Sequence, residues 1–146
     1  MAIRLGMDCR LYYNKGGTWA APVWSVINNA KDVTLNLETG QADVSTRGNG
    51  GWRATLATLK EGSIEFELVW DSTDLAFKAV QQAYFANGTI EMAAMDGDIT
   101  ETGSSGLHAL CSVTNFTRNE PLEEAVTASV TIKPTFSANA PEWMET

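Results

Sequence analysis

The chain has 146 residues, which fits a single domain of ordinary size. It is 44% hydrophobic and 19% charged and has five Trp, a composition that excludes disordered, collagen-like and low-complexity proteins. Ten Lys plus Arg against 18 Asp plus Glu give a formal net charge of −8. This balance argues against tight binding to nucleic-acid phosphates, because such binding requires basic residues that displace counterions.

Targeting and redox signals are sparse in this sequence. No run reaches the roughly 18 apolar residues that cross a bilayer, and the start MAIRLGMDCR lacks the apolar stretch and small-residue cleavage site of a secretory signal. We therefore expect a mature, soluble chain of cytoplasmic origin. Cys9 and Cys111 are far apart in sequence, and we expect free thiols.

Alternation of apolar and polar residues dominates the chain and predicts strands with one buried face. Val33, Leu35 and Leu37 alternate with polar neighbours, and a second such run contains Ile64 and Phe66. Predicted strands cover residues 10–13, 19–27, 32–38, 41–46, 53–59, 63–71, 90–95, 107–116 and 126–133. Turn residues between them indicate hairpins, at 14–17, 39–40, 48–51, 96–97 and 119–121.

One segment has helical instead of strand periodicity. Residues 72–87 place apolar side chains three and four positions apart. Ser72 or Thr73 is a candidate N-cap, and Asn87-Gly88 supplies a left-handed stop. Many strands and one helix predict a mainly β fold of two packed antiparallel sheets, as a sandwich or partly closed barrel, with the helix flanking an open end or edge.

The domain organisation follows from two stretches outside the compact pattern. Residues 1–133 are predicted as one β domain, with a polar, glycine-rich hairpin at about 40–60 that projects as an arm. Residues 134–146 are predicted as a C-terminal extension with two prolines and the isolated Trp143. Projecting segments of this kind contact a partner or are a mobile loop and a frayed terminus, and the pattern alone leaves both readings open.

Residues that could carry chemistry are few. His108 is the only histidine and lies in a predicted strand, where a solvent-facing or core-edge imidazole is a better interpretation than a metal ligand. Asp96, Asp98 and Thr100 have the stagger of a calcium loop but lack its glycine and final glutamate, so we interpret them as a turn. Glu65 and Glu67 share a strand face, as the two carboxylates of a glycosidase could, but any half-exposed strand displays such a pair of acids, so we do not interpret them as catalytic. We predict no catalytic, cofactor or metal site and no enzyme activity.

The tryptophans allow two interpretations. Exposed aromatic side chains on a β scaffold can stack on sugars, so a monomeric carbohydrate-binding β-sandwich is one alternative. Trp70 fits the core alternation, whereas Trp52 and Trp143 lie on the projecting segments. Because aromatic residues are enriched at interface centres, we interpret these two as anchors on a neighbouring surface.

The order of motifs resembles that of phage tail tube proteins, the major tail proteins of long-tailed phages. The likeness spans almost the whole chain and rests on LYY at 11–13, VTL at 33–35, ADVSTR at 42–47 before the glycine-rich loop, GSIEFE at 62–67, an Asp-initiated helix and NEPLEEAVTASVTIKP at 119–134. It implies a non-catalytic structural subunit whose six-fold rings stack into a tube. In this family the long hairpin reaches a neighbouring ring, which makes inter-subunit contacts the implied role of Arg47, Gly48, Gly50, Trp52 and Trp143.

The resemblance also gives the charge a meaning. Six copies would carry a formal charge of −48, six times −8, so an acidic lumen would repel DNA and favour its passage during ejection. Candidate lumen residues are Asp32, Asn36, Glu38, Glu65 and Glu67, together with Thr34. The implied partners are further copies of the chain and the tape measure, tail terminator and baseplate proteins, with DNA as non-specific cargo and no membrane. The implied location is the virion tail, after assembly in the host cytoplasm. An inner tube of a related injection device, such as a type VI secretion system or prophage-derived particle, is the alternative within the same fold.

Overall fold

The structure, a computed structural model, describes residues 3–146, so the first two residues of the predicted domain lie outside it. Within that range it has eight strands, one α-helix and two short 3-10 turns, at Gly6–Asp8 and Arg47–Asn49. The strands and the helix are β1 Arg10–Asn14, β2 Trp24–Val26, β3 Ala30–Asp43, β4 Thr55–Val69, α1 Leu75–Phe85, β5 Thr89–Met95, β6 Ser105–Asn119, β7 Thr127–Pro134 and β8 Glu142–Glu145. None of the helices in residues 3–146 has the length and apolar character needed to cross a membrane.

All eight strands are joined by antiparallel pairing. Their order is β2-β1-β5-β6-β7-β4-β3, and β8 pairs with the start of β6 beside β7. The mainly β prediction with one flanking helix is confirmed. The hydrogen-bonded strands form one sheet where two were expected, and this sheet is not closed, since β2 and β3 end it without pairing to each other. Alternation reports which face of a strand is buried but not which strands are neighbours.

The helix packs across one face of the sheet and completes the core. Its buried side chains are Ala76, Phe77, Val80 and Ala83, which lie on one stripe against β5 and β6. Alternate residues of β4 and β7 point into the same core, including Ile64, Leu68 and Ile132. Burying these apolar side chains is the main contribution to the stability of the fold.

Both ends of α1 have a local cause. Asn87 adopts a left-handed backbone with φ of 50°, and the Gly88 amide donates to the Ala83 carbonyl at 2.9 Å. This is the predicted left-handed stop. The helix begins at Leu75, later than predicted, because Thr73 donates its amide and hydroxyl to the Asp71 carboxylate and forms a turn before the first helical residue.

Strand lengths differ from the sequence prediction at one hairpin. The turn predicted at 39–40 is wrong, because β3 continues through Gly40. The strands predicted at 32–38 and 41–46 are the single strand β3, and those predicted at 53–59 and 63–71 are the single strand β4. The register shifts between Thr39 and Gln41, so the glycine marks an irregularity within the ladder. A Cβ on Gly40 would lie 2.5 Å from Thr58 Oγ1, so a larger residue here would require the Thr58 side chain on the neighbouring strand to move.

Two further boundaries also differ. The strand predicted at 19–27 is reduced to β2, because Asn14 organises the preceding residues as a loop, its Oδ1 accepting the amides of Gly17 at 2.7 Å and Val23 at 3.1 Å. β8 was not among the predicted strands and lies in the predicted C-terminal extension.

Candidate assembly surfaces

One side of the half-sheet built from β3, β4 and β7 is polar. Thr34 pairs with Glu65, Asn36 with Ser63 and Glu38 with Glu61, and paired residues share a face. Across the next ladder, Glu65 pairs with Thr131 and Glu67 with Ser129. We call this surface the polar face and define it by Thr34, Asn36, Glu38, Glu61, Ser63, Glu65, Glu67, Ser129 and Thr131.

The other side of the same strands is apolar. Ile64, Phe66 and Leu68 alternate with the glutamates of β4 and are buried, as are Val130 and Ile132 on β7. Together with α1 they form the core. From Ile64 onward β4 therefore has one face packed and one face open, and β7 likewise, as is common in antiparallel sheets, whereas no residue of β3 is buried.

Negative charge is concentrated on the polar face. Glu38 lies directly opposite Glu61, and Glu65 and Glu67 follow along β4. Two cations lie at its margins: Lys31 Nζ is 3.9 Å from Glu67 Oε2, and the exposed Lys133 follows Thr131 on the same side of β7. Glu61 was missed by the sequence analysis, although it continues the same alternation once β4 is read as one strand.

The predicted lumen residues divide into two groups. Asn36, Glu38, Glu65 and Glu67 are brought together on the polar face. Asp32 is not, because the register shifts between Lys31 and Thr34 and Asp32 adopts a left-handed φ of 53° within this bulge. An extra residue in a strand changes which face the following side chains occupy, so counting by twos does not extend across it.

Among the described residues, the arm, residues 40–60, pairs only with itself. β4 pairs with β7 from Ile64 onward, so within residues 3–146 the earlier part of β4 has β3 as its only ladder neighbour. The side chains of 55–61 are exposed on both faces of this ribbon. Leu59 is 84% exposed and Trp52 is 80% exposed, and Leu56 is also open to solvent. A two-stranded ribbon with exposed apolar side chains buries little within one subunit.

The tip of the arm, residues 44–54, has an ordered backbone. Ser45 closes it, because its hydroxyl accepts the Ala54 amide at 2.7 Å. A 3-10 turn and two left-handed glycines follow, Gly50 at φ 62° and Gly51 at φ 88°. The predicted contact residues Arg47, Gly48, Gly50 and Trp52 all lie on this tip.

Trp143 lies elsewhere on the molecule. It is on β8, where it pairs with Leu107 of β6, so this part of the C-terminal extension folds onto its own sheet. Its side chain is 55% exposed and lines a surface groove. The two predicted anchors, Trp52 and Trp143, are thus not neighbours within one subunit.

His108 is buried, where a solvent-facing or core-edge position was expected. It is 2% exposed, and its ring stacks on Trp19 with centroids 3.8 Å apart and meets Trp24 edge-on at 5.0 Å. Nε2 lies 3.2 Å from a Glu91 oxygen and Nδ1 lies 3.2 Å from a Glu142 oxygen. The carboxylates are on opposite edges of the ring and do not converge on one point. No metal-ligating group of three or more side chains occurs in the described part of the chain.

This environment joins three strands and uses two of the tryptophans. Glu91 is on β5, His108 on β6 and Glu142 on β8, so the cluster ties the last strand to the sheet. Trp70 also packs within the subunit, edge-on against Phe77 with ring centroids 4.6 Å apart. The five tryptophans therefore do not form one flat platform of the kind that a sugar-binding surface requires.

The predicted acidic turn and the thiols agree with expectation. The Asp98 carboxylate accepts the Thr100 amide at 2.9 Å and its hydroxyl at 2.7 Å, and Asp96 accepts the Ser105 amide at 2.9 Å. These hydrogen bonds from Thr100 and Ser105 fix the backbone of the loop between β5 and β6. Cys9 and Cys111 are free thiols, the first exposed and the second buried, and burial raises the pKa of Cys111 to about 12.

Comparison with known structures identifies similar folds. A chain from the tail of an empty gene transfer agent particle, refined with C6 symmetry, is 17% identical, with 97% of this chain and 99% of that chain covered and a TM-score of 0.72. The SPP1 tail tube protein is 16% identical, with 90% and 75% covered and a TM-score of 0.66. A chain of the anti-feeding prophage baseplate, symmetrised six-fold, is 9% identical, with 94% and 91% covered and a TM-score of 0.56.

The sequence comparisons give the family. No curated protein matches the chain significantly. The family model for phage tail tube proteins matches residues 11–135, which runs from the second residue of β1 to the residue after β7 and includes the arm and α1. This chain therefore belongs to the phage tail tube protein family and is a structural subunit of a tail.

Proposed function

We propose that six copies of the chain form a ring, that rings stack into a tube, and that the polar face lines the lumen through which DNA passes during ejection. The observation that carries this proposal is the asymmetry of the half-sheet. From Ile64 onward one face of β4 is packed in the core, while the other carries Glu65 and Glu67, and Glu38 and Glu61 continue this side onto the arm beyond Ser63. The role is mechanical and requires no catalytic group.

Charge supports an inward position for this face. A lumen that binds phosphate would hold DNA in place, whereas carboxylates repel it and leave the cargo free to slide. Because screening at physiological salt limits this repulsion to about 8 Å, the carboxylates act only if they face the bore directly. The formal charge of −8 per subunit has the required sign.

Ring formation and stacking are supported by the exposed edge and the arm. β3 is a long strand with a free edge, and pairing it with a neighbouring subunit would remove a site of uncontrolled association. The arm extends beyond the sheet with exposed Trp52 and Leu59 and suits a contact that repeats from ring to ring. The six-fold symmetry of the gene transfer agent tail and the prophage baseplate supports the choice of six. In a complete tail such a tube would meet the tape measure, terminator and baseplate proteins, after assembly in the host cytoplasm.

Electron cryomicroscopy of assembled tubes tests the proposal. We expect six subunits per ring, the polar face toward the axis and α1 on the outside. A second test compares Glu38→Lys/Glu65→Lys tubes with tubes carrying the control changes Glu123→Lys/Glu124→Lys in the loop before β7. The first pair is expected to retain short duplex DNA inside the tube at low salt and the control pair is not. A map with α1 facing the bore would overturn the proposed orientation.

A further inference from the structure

Two exposed features lie at opposite ends of β3. The arm tip, residues 44–54, follows the last paired positions, Asp43 and Thr55. The other feature, which we call the groove, is lined by Lys31, Asp32 and Val33 near the beginning of the same strand. Twelve residues of strand separate Lys31 from Asp43, about 40 Å at 3.3 Å per residue. The tip of a subunit therefore does not reach its own groove.

The groove is an open cavity of about 430 Å³ between the start of β3 and the β1, β5 and β8 strands. Its apolar lining includes Val33, Leu35, Met95 and Trp143, and Cys9 is at its edge. Val33 is exposed although it lies in a strand, because the bulge at Asp32 turns it out of the regular ladder. The cavity thus offers an apolar floor beside a large, half-exposed indole.

Charge distinguishes the groove from its surroundings. Its two cations already have acidic partners, since Arg10 Nη1 is 3.4 Å from Asp98 Oδ2 and Lys31 Nζ is 3.9 Å from Glu67 Oε2. Asp32 and Asp96 also line it, and no cation within residues 3–146 forms an ion pair with either. Within the described residues, the groove therefore has two carboxylates without a paired cation, of which Asp96 also accepts hydrogen bonds from the amide and hydroxyl of Ser105.

The arm tip has the complementary chemistry. Residues 44–54 contain Arg47 and Arg53 and no acidic residue, in a chain whose net charge is −8. Trp52 lies between the two arginines in sequence and is almost fully exposed. Trp and Arg are the residues that most often dominate the energy of an interface.

We propose that the arm tip of one copy docks in the groove of a second copy, with Trp52 against Trp143 and Val33 and with Arg47 and Arg53 toward Asp32 and Asp96. The proposal rests on the proposed tube and names the surface that receives the arm. Because the tip and the groove are different surfaces at opposite ends of one strand, the contact is head-to-tail, and when it joins copies in successive rings it repeats along the tube. It gives Trp143 and the C-terminal strand a function in stacking.

Cross-linking tests the contact directly. Gly48→Cys places a thiol on the tip, and a Cβ there would lie 3.5 Å from Thr46 Oγ1, an ordinary van der Waals distance. Assembled tubes of this variant are treated with a short bismaleimide, which can join the introduced thiol to the native, exposed Cys9 at the edge of the groove. The matched control is Lys78→Cys on the exposed side of α1. The unmodified chain controls for links between two Cys9 thiols.

The expected result is a ladder of cross-linked chains on a denaturing gel that extends beyond six copies for Gly48→Cys alone. A ladder that stops at six indicates a contact within one ring and overturns head-to-tail docking. Tubes of this variant that form without a link between the introduced thiol and Cys9 overturn the groove as the receiving surface and leave the proposed function standing. Failure of the unmodified chain to form tubes at all overturns the proposed function and this proposal with it.

A charge test uses different residues. Arg47→Glu/Arg53→Glu is expected to raise the concentration needed for half-maximal tube formation by about tenfold or more, because it places carboxylates against Asp32 and Asp96. Lys60→Glu/Lys78→Glu is the matched control, since it changes the formal charge by the same four units at exposed positions outside the tip, and is expected to assemble close to normally. Equal losses from tip and control variants would mean that net charge, and not docking in the groove, governs assembly.

Discussion

Glu38 on β3 and Glu61 on β4 lie directly opposite each other in the antiparallel ladder. Like charges at opposite positions destabilise a sheet, so this pair does not serve the stability of the isolated subunit. In the proposed tube, where the polar face lines the lumen, the same two carboxylates would repel the passing DNA. Mutation of this pair can therefore test the stability of the isolated subunit separately from the function of the assembled tube.

We expect Glu61→Gln to stabilise the isolated subunit. Removing one of two facing carboxylates relieves repulsion worth about 0.2–1 kcal/mol, and the gain shrinks at high salt because the pair is exposed. Urea unfolding at low and high salt measures the change in the free energy of unfolding. Glu123→Gln, in an exposed loop, removes the same formal charge elsewhere and is expected to be close to neutral. Equal effects of the two variants would show that net charge alone is responsible.

Deletion of residues 47–52 is expected to leave the fold intact and to stop tube growth. The deleted residues lie beyond the hydrogen bonds by which Ser45 and Ala54 close the arm, and none of them belongs to the core. Circular dichroism and thermal unfolding check the fold, and negative-stain microscopy checks assembly. Normal tubes from the shortened arm would contradict the assigned function of the tip.

The two thiols are expected to differ sharply in reactivity. Burial raises the pKa of Cys111 to about 12, so the thiolate that reacts with disulfide reagents is scarce near neutral pH, whereas Cys9 is exposed. We expect one thiol per chain to react with Ellman's reagent in the native subunit and two in denaturant. Rapid native reaction of both would contradict the burial of Cys111.

Acid is expected to destabilise the subunit through its loop carboxylates. Hydrogen bonds from Thr73 hold the pKa of Asp71 below its usual 3.8, and hydrogen bonds from Thr100 do the same for the pKa of Asp98. A lowered native pKa means that the unfolded chain binds protons first. The stabilisation is therefore complete above the unfolded pKa and is lost as pH falls through the native one.

The measurement is the free energy of unfolding between pH 6 and pH 2 for the unmodified chain and for Asp71→Asn/Asp98→Asn. We expect the double variant to lose less stability on acidification below the usual carboxyl pKa. An unchanged slope in that range would show that these two carboxylates do not contribute to acid sensitivity.

The local sequence pattern predicted the structure correctly where a few consecutive residues determine it. The alternation of Ile64, Phe66 and Leu68 predicts a strand with one buried face, and Asn87-Gly88 predicts the end of α1, because side-chain direction and left-handed backbone are properties of a few consecutive residues. The resemblance to tail tube proteins was likewise visible in the order of short motifs.

Contacts between distant segments decided the rest. β8 exists because β6 offers it an edge, and the pairing buries His108 between Glu91 and Glu142, partners 17 residues before it and 34 after it in sequence. The bulge at Asp32 and the union of all strands in one sheet depend on register between neighbours. Sequence therefore determined which residues favour strands, turns and the helix, whereas the tertiary structure decided which strands meet and which side chains share a surface. The physical reason is that pairing energy is gained only when remote segments are brought together.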